Sequence, residues 1–263
     1  MKPILSIVIV EYKSLDEISA CIQSIAGRLS IPYEIVVSSN SCYTEKERKQ
    51  IPQYADNVHF VFNKRNGGFA YAMNSGLKHA LGEFLVIMNS DCSINFDLAD
   101  MVGFMQKHPE VGVVGPCIHD ADGNLQDTAR PYVSVPRFFL RQIKRMLMRK
   151  VSVLNPMMDY TKTQTVDWVI GAFMMVSRKA YELTNGLDDS YFMYAEDLDW
   201  CTRIRQNGLE VVYYAKSDIT YKGTRRARNN KAYAKIFLRS HLLYWKKFGF
   251  IGGYPKRKKI TYQ

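Results

Sequence analysis

Three carboxylates crowd one short stretch, Tyr194-Ala195-Glu196-Asp197-Leu198-Asp199-Trp200-Cys201-Thr202-Arg203. At a helix start the macrodipole favours such negative charge. One reading is a plain helix start in which Asp199 and Arg203, four residues apart, form an ion pair. The other makes one carboxylate a general base and leaves Asp199 and Arg203 to hold the helix. A second group, Asn89-Ser90-Asp91, follows the apolar run Phe84–Met88. A carboxylate where a strand ends can hold a divalent cation, which then grips a diphosphate. An ordinary strand-to-loop turn uses the same residue types. A third group runs Asn66-Gly67-Gly68-Phe69-Ala70-Tyr71-Ala72-Met73-Asn74-Ser75-Gly76. Paired glycines at a helix start let the backbone approach a phosphate or a sugar. They equally suit a tight turn packed close to a sheet, and the spacing is neither G-x-G-x-x-G nor a Walker loop.

Positioning these groups requires a scaffold, and the chain has the pattern for one. Ile4–Val10 is a continuous β-branched run, as in a strand buried on both faces. Ser14-Leu15-Asp16-Glu17 fits a capping box, and Leu15, Ile18, Cys21, Ile22 and Ile25 follow at helical spacing. Tyr33–Ser38, Val58–Phe62 and Phe84–Met88 read as further strands; residues 44–51 and 69–80 read as helices. Repeated β-α units predict an α/β fold with a mostly parallel central sheet and flanking helices. Ligands then bind where the strands end, at Glu11-Tyr12-Lys13, Ser39-Asn40-Ser41 and Asn89-Ser90-Asp91. Later, Val111–Gly115, Val166–Val176 and Val211–Tyr213 read as strands, and Asp122-Gly123 as a hairpin turn. Residues 131–158 read as an insertion with Phe139, Ile143, Met146 and Leu147 beside Arg141, Lys144, Arg145 and Arg149. Residues 194–207 and 228–248 read as helices, the second basic, with Ile236, Phe237, Ser240 and Tyr244 along one side.

Charge separates the regions. The 263 residues carry a net charge of +11, yet residues 222–263 hold 13 Lys/Arg and residues 128–158 hold seven, with no acid in either. An acidic body with two basic patches predicts anionic partners at particular faces. Cys21, Cys42, Cys92, Cys117 and Cys201 form no C-x-x-C pair and no zinc-ligand spacing. They read as reduced thiols, and no signal segment or spanning helix is evident, so a cytoplasmic setting is expected.

Read in order, the motifs resemble the inverting family 2 glycosyltransferases of the GT-A fold, nearest the bacterial rhamnosyltransferase-like branch. The carriers are Ile7–Tyr12, Ser39-Asn40-Ser41-Cys42, Asn66-Gly67-Gly68-Phe69 with Asn74 and Gly76, and Asn89-Ser90-Asp91. They continue with Val166-Asp167-Trp168, Gly171-Ala172, and Glu196-Asp197-x-Asp199 with Arg203, so the resemblance spans residues 4–250.

The resemblance implies a GT-A domain over 1–221, its donor-binding half about 1–115 and its acceptor half 116–221, followed by a basic helix and tail over 222–263. It implies that Asp197 is the catalytic base and that Glu196 and Trp168 lie beside the acceptor. It places Tyr12, Ser39, Asn66, Gly67, Gly68, Asn74, Asn89, Ser90 and Gly171 around a nucleotide-sugar donor, with Tyr12 stacking on the base. Asp91 would hold a weakly bound divalent metal, Mg²⁺ or Mn²⁺. Three positions depart from the pattern. Ser39 replaces a base-reading Asp, Glu11 and Lys13 stand where Asn is common, and Tyr221 takes the place of a metal-binding His.

The expected reaction moves a sugar, with inversion, onto a hydroxyl of a lipid-linked or oligosaccharide acceptor in bacterial surface polysaccharide assembly. The basic segments add an expected peripheral contact with the anionic inner face of the cell membrane. One rival reading is a non-catalytic sugar-nucleotide binder, suggested by Ser39 and Tyr221. Another is a nucleic-acid-binding protein, against which stand the missing motifs and the acidic body, so no nucleic acid is expected. A nucleotidyltransferase would use similar groups and would release pyrophosphate.

Overall fold

The computed structural model describes residues 2–140, 154–155, 158–223, 231–251, 254–255 and 259–262. Its first half follows the β-α alternation of the sequence. Strands β1 (Leu5–Glu11), β2 (Tyr33–Ser39), β3 (Val58–Phe62) and β4 (Phe84–Asn89) pair in parallel in the order β3-β2-β1-β4. Helices α1 (Leu15–Ile25), α2 (Glu45–Arg48) and α3 (Phe69–Leu77) make the connections. β1 is mostly apolar because both its faces are covered. Leu5, Ile7 and Ile9 join one apolar cluster and Val8 joins the other.

The second half extends the same sheet. β5 (Cys92–Ile94), α4 (Ala99–Lys107), β6 (Val111–His119) and β7 (Ala129–Arg130) are followed by a helical stretch at 135–140, α5. Then come β8 (Thr163–Thr165), β9 (Trp168–Val169), β10 (Phe173–Ser177), α6 (Arg178–Thr184), α7 (Glu196–Gln206), β11 (Glu210–Tyr221), α8 (Lys231–Phe248) and β12 (Thr261–Tyr262). The main sheet runs β12-β8-β11-β6-β10-β4-β1-β2-β3, with β5 on β11. β6 and β11 are parallel, and β10 runs antiparallel between β4 and β6. That reversal brings the turn before β10 to the end of β4 that carries Asn89.

Local expectations needed four corrections. Ser14 caps α1 without a side-chain bond; its N–H donates to Glu11 (2.9 Å), and Glu17 accepts from the Ser90 hydroxyl (3.0 Å). The capping box sits at Thr44 and Glu47, before a helix of only four residues. Val166–Val176 is two strands, β9 and β10, separated at Ile170-Gly171-Ala172. The expected short strand at Val211–Tyr213 is a 12-residue strand whose register shifts between Tyr214 and Ile219, where Lys216 and Asp218 interrupt the apolar pattern. Arg141, Ile143, Lys144, Arg145, Met146, Leu147 and Arg149 lie outside the described residues.

The basic helix α8 packs on the body of the fold. Tyr244 and Trp245 belong to the same apolar cluster as Val8, Trp168 and Trp200. Each such ring withdraws about 150–250 Å² from water. Their polar ends are satisfied across the contact: Trp245 Nε1 donates to the Val133 carbonyl (2.7 Å), and the Tyr244 hydroxyl lies 3.0 Å from Thr202 Oγ1. The Ser240 hydroxyl donates to the Met193 carbonyl (2.8 Å).

Candidate active site

The head of α7 is built from strained backbone. Tyr194 and Ala195 both have positive φ, 71° and 63°, although neither is glycine. Such strain persists only where surrounding contacts enforce it. It sets Glu196 and Asp197 on the first turn. Asp197 is half-buried and accepts from two backbone groups: Leu198 N–H at Oδ1 and Gly171 N–H at Oδ2, each 2.8 Å. Burial raises its pKa. The Gly171 and Leu198 N–H groups and the nearby Arg130 charge oppose that rise by favouring the ionised form. Glu196 is buried and its Oε2 has no hydrogen-bond partner. Burial first, and then the Asp197 charge, push its carboxyl well above the usual range.

Gly171 links this group to the strand end that carries Asp91. A Cβ at Gly171 would lie 3.2 Å from Asp197 Cβ, so the carboxylate and the turn touch. The next residue, Ala172, offers its carbonyl to Asn89 N–H (2.9 Å) and to Cys92 Sγ (3.3 Å). These two acceptances flank Ser90-Asp91. One dipeptide, Gly171-Ala172, therefore ties the α7 carboxylates to the end of β4. Trp168, on β9, donates Nε1 to the Pro131 carbonyl (2.9 Å), and the Arg130 guanidinium lies 5.3 Å from its ring centroid.

Asp91 lines a cavity of about 160 Å³ with Glu17, Cys21, Ser90, Ser93 and Lys222. Glu17 was read from the sequence only as a capping residue; Ser90 is what draws it here. Lys222 N–H donates to the Asp91 carbonyl (3.1 Å). Next to it Tyr221 accepts a long bond from Asn89 Nδ2 (3.5 Å). Burial, and then the Asp91 charge, raise the Tyr221 phenol, which disfavours a phenolate ligand. Among the described residues no group of three or more His, Cys, Asp or Glu is placed to hold a metal. The hard oxygens of Asp91 and Glu17 fit Mg²⁺ or Mn²⁺ shared with a diphosphate, since such ions keep waters and substrate oxygens among their ligands. They do not form an all-protein cage.

The remaining expected donor residues divide. Tyr12 is 47% exposed, with a face available for stacking. Ser39 is fully buried and gives its hydroxyl to Glu11 Oε2 (2.5 Å), so it is not presented to a base. Glu11 is also fully buried and accepts from Ser14 N–H, Ser41 Oγ and Tyr43 OH as well (2.9–3.1 Å). It locks the ends of β1 and β2 together. Asn66 is exposed, and its Oδ1 accepts from Gly68 N–H (3.1 Å) and Asn40 Nδ2 (3.2 Å). Gly68 has φ +92°, and a Cβ there would fall 2.1 Å from the Phe192 carbonyl oxygen. Its need for glycine comes from close packing against the loop before α7. At Gly67 a Cβ would strike the Tyr71 ring. Asn74 is a second correction. Its amide donates to the Leu187 carbonyl (2.8 Å) and to Asp189, and its Oδ1 accepts from Leu187 N–H (2.9 Å). It anchors residues 187–189 and has no donor group left for a ligand.

The geometry is thus a carboxylate pair at a helix head, tied through one turn to an acid-bearing strand end. Comparison with known proteins gives the family and the fold. Glycosyl transferase family 2 matches residues 6–184. The low-salt glycan biosynthesis hexosyltransferase Agl10 of Haloferax volcanii is 25% identical over 213 residues, covering 79% of this chain and 63% of that protein. The N-acetylglucosaminyl-diphospho-decaprenol L-rhamnosyltransferase of Mycobacterium tuberculosis is 22% identical over 241 residues, covering 84% and 76%. The fold is similar to GalNAc-T7, solved with UDP, GalNAc and Mn²⁺, with a TM-score of 0.66, 18% identity, and coverage of 95% of this chain and 50% of that one. The chain belongs to glycosyl transferase family 2 and has the GT-A fold.

Proposed function

We propose that this family 2 member is an inverting glycosyltransferase, moving a hexosyl or rhamnosyl group from a nucleoside-diphosphate sugar to an acceptor hydroxyl in surface polysaccharide assembly. The observation that carries the reading is the Gly171-Ala172 link between Asp197 and the Asn89–Cys92 strand end. It gives one site a base on one side and an anion-handling pocket on the other.

The step follows from charge. The acceptor oxygen bonds to the anomeric carbon as its proton passes to the Asp197 carboxylate. The bond from that carbon to the phosphate oxygen breaks, and the nucleoside diphosphate leaves with the electron pair. Attack opposite the leaving group inverts the anomeric centre, by the geometry that governs inverting glycosidases. Burial makes Asp197 a stronger base than a solvated carboxylate, while its two N–H partners keep it oriented. Burial and the Asp197 charge disfavour ionisation of Glu196 beside it, and Trp168 flanks the acceptor. Tyr12 stacks on the nucleotide base. Asp91, with Glu17, would hold a divalent ion, which supplies Lewis-acid stabilisation of the leaving diphosphate. Lys222 adds positive charge to the same cavity.

The M. tuberculosis relative is named for a lipid-diphosphate-linked acceptor, and by analogy the acceptor here is a lipid-linked or oligosaccharide hydroxyl at the inner face of the cell membrane. A panel of UDP-, dTDP- and GDP-sugars with a lipid-diphosphate acceptor tests the reading. It predicts a new glycoside of inverted configuration and release of the nucleoside diphosphate. Tight donor binding without transfer or hydrolysis would instead make the chain a sugar-nucleotide binder, and released pyrophosphate would make it a nucleotidyltransferase.

A further inference from the structure

Among the described residues, six of the ten exposed large apolar side chains fall in three segments: Phe139 and Leu140, Leu238 and Leu242, Phe250 and Ile251. These segments are joined. Phe138 of α5 packs on Phe237, His241 and Trp245 of α8, with centroids 5.2–5.9 Å apart, and on Phe139. Val135 N–H donates to the Phe250 carbonyl (2.9 Å). Ile251 is 81% exposed, far more than an apolar side chain needs in a turn.

The outer face of α8 is mixed in a regular way. Ser240, His241, Tyr244 and Trp245 are buried against the body. Lys231, Lys235, Leu238, Arg239, Leu242 and Lys246 are all exposed. At 100° per residue these six fall within about 100° of the helix circumference, so cations and leucines share one stripe. No Asp or Glu occurs anywhere in residues 128–158 or 222–263 to neutralise it. Lys247 points elsewhere, to Asp188 and Asp199.

We infer that this stripe, with Phe139, Leu140, Phe250 and Ile251, is a membrane-docking surface that seats α8 flat on an anionic lipid bilayer. The charge commits the occupant: a helix stripe that mixes leucines with cations, on segments whose sequence holds no acid, fits lipid headgroups over acyl chains. Position supports it. Arg130 and Pro131 contact Trp168, Val133 contacts Trp245, and Phe138 contacts α8, so one short segment runs from the acceptor side of the site to the patch. Among the described residues no helix is long and apolar enough to cross a membrane. The inference rests on the proposed transferase only for the nature of the acceptor.

The test is co-sedimentation of the full chain with phosphatidylcholine vesicles, with and without phosphatidylglycerol. Binding to the anionic vesicles alone, weakened by salt, is expected. K235E/R239E/K246E should lower the partition coefficient by at least about tenfold, since each lost cation removes a favourable headgroup contact. L238Q/L242Q should lower it by about tenfold while keeping the salt dependence. All substituted side chains are exposed, so melting temperatures should match the parent. Equal recovery in the supernatant for both vesicle types would overturn the inference, as would parent-like binding of both variants. A dimer in sedimentation velocity that L238Q/L242Q dissociates would assign the face to a second copy instead. Binding is read without turnover, so failure here leaves the transferase reading standing, and loss of transfer to a water-soluble acceptor would break that reading alone.

Discussion

Two aspartates two residues apart on α7 live in opposite circumstances. Asp199 is fully buried and saturated: Arg203 Nε (2.5 Å), Lys247 Nζ (2.6 Å) and the Tyr191 hydroxyl (3.2 Å) all donate to it. Arg203 continues to the Thr184 and Gly186 carbonyls, so the ion pair pins α7, α6 and α8 together. Asp197 accepts from two backbone N–H groups and is half-buried, beside a Glu196 whose inner oxygen has no partner. A saturated carboxylate holds structure; one with fewer donors keeps capacity for a proton. Glu11, with four donors and no exposure, belongs with Asp199.

The contrast can be broken or sharpened by substitution. Asp199→Ala should cost the most stability, about 3–5 kcal/mol in urea denaturation, because Lys247 and Arg203 lose a buried counter-charge. A loss below about 1 kcal/mol would mean that the pair is screened as at a surface. Glu11→Gln should cost about 1.5–3 kcal/mol, the range for hydrogen bonds to a charged group, with donor affinity falling as the β1 and β2 ends loosen. Arg130→Gln should lower stability, because the buried Asp127 carboxylate loses its Arg130 partner (3.1 Å), and should also move the acid limb of kcat/KM to higher pH. Arg130 lowers the Asp197 pKa, so without it the base is protonated at a higher pH. An unmoved limb would separate Arg130 from the base.

The smallest effect belongs to Glu196→Gln. Its folded pKa is raised, so below the unfolded pKa both states are protonated and the group contributes nothing. As pH rises through the unfolded value, ionisation favours the unfolded chain, and that penalty grows until the folded pKa is passed. The variant should therefore melt with the parent at pH 4 and above the parent at pH 8.

Much of this was legible. The apolar runs of β1, β2 and β4 announce strands buried on both faces, and Asp199–Arg203 realises the ion pair that a four-residue spacing suggests. The ordered motifs led to the family. What escaped reading was the choice of partner. Ser39 and Asn74 are polar residues in the expected places, yet one is consumed by Glu11 and the other by residues 187–189. Glu17 has the spacing of a cap, but Ser90, 73 positions away, takes it into the Asp91 cavity. Local periodicity reports which face is buried; it is silent on which distant group competes for a hydrogen bond. The same limit hid the length of β11, whose ladders to β6 and β5 carry it across a polar interruption.

The central claim, that Asp197 is the base, is tested most directly by Asp197→Asn, with transfer assayed by product formation and donor binding by calorimetry. The account predicts a fall in kcat of about 10²–10⁴-fold with donor affinity within a few-fold of the parent. Near-normal turnover in that variant would contradict it.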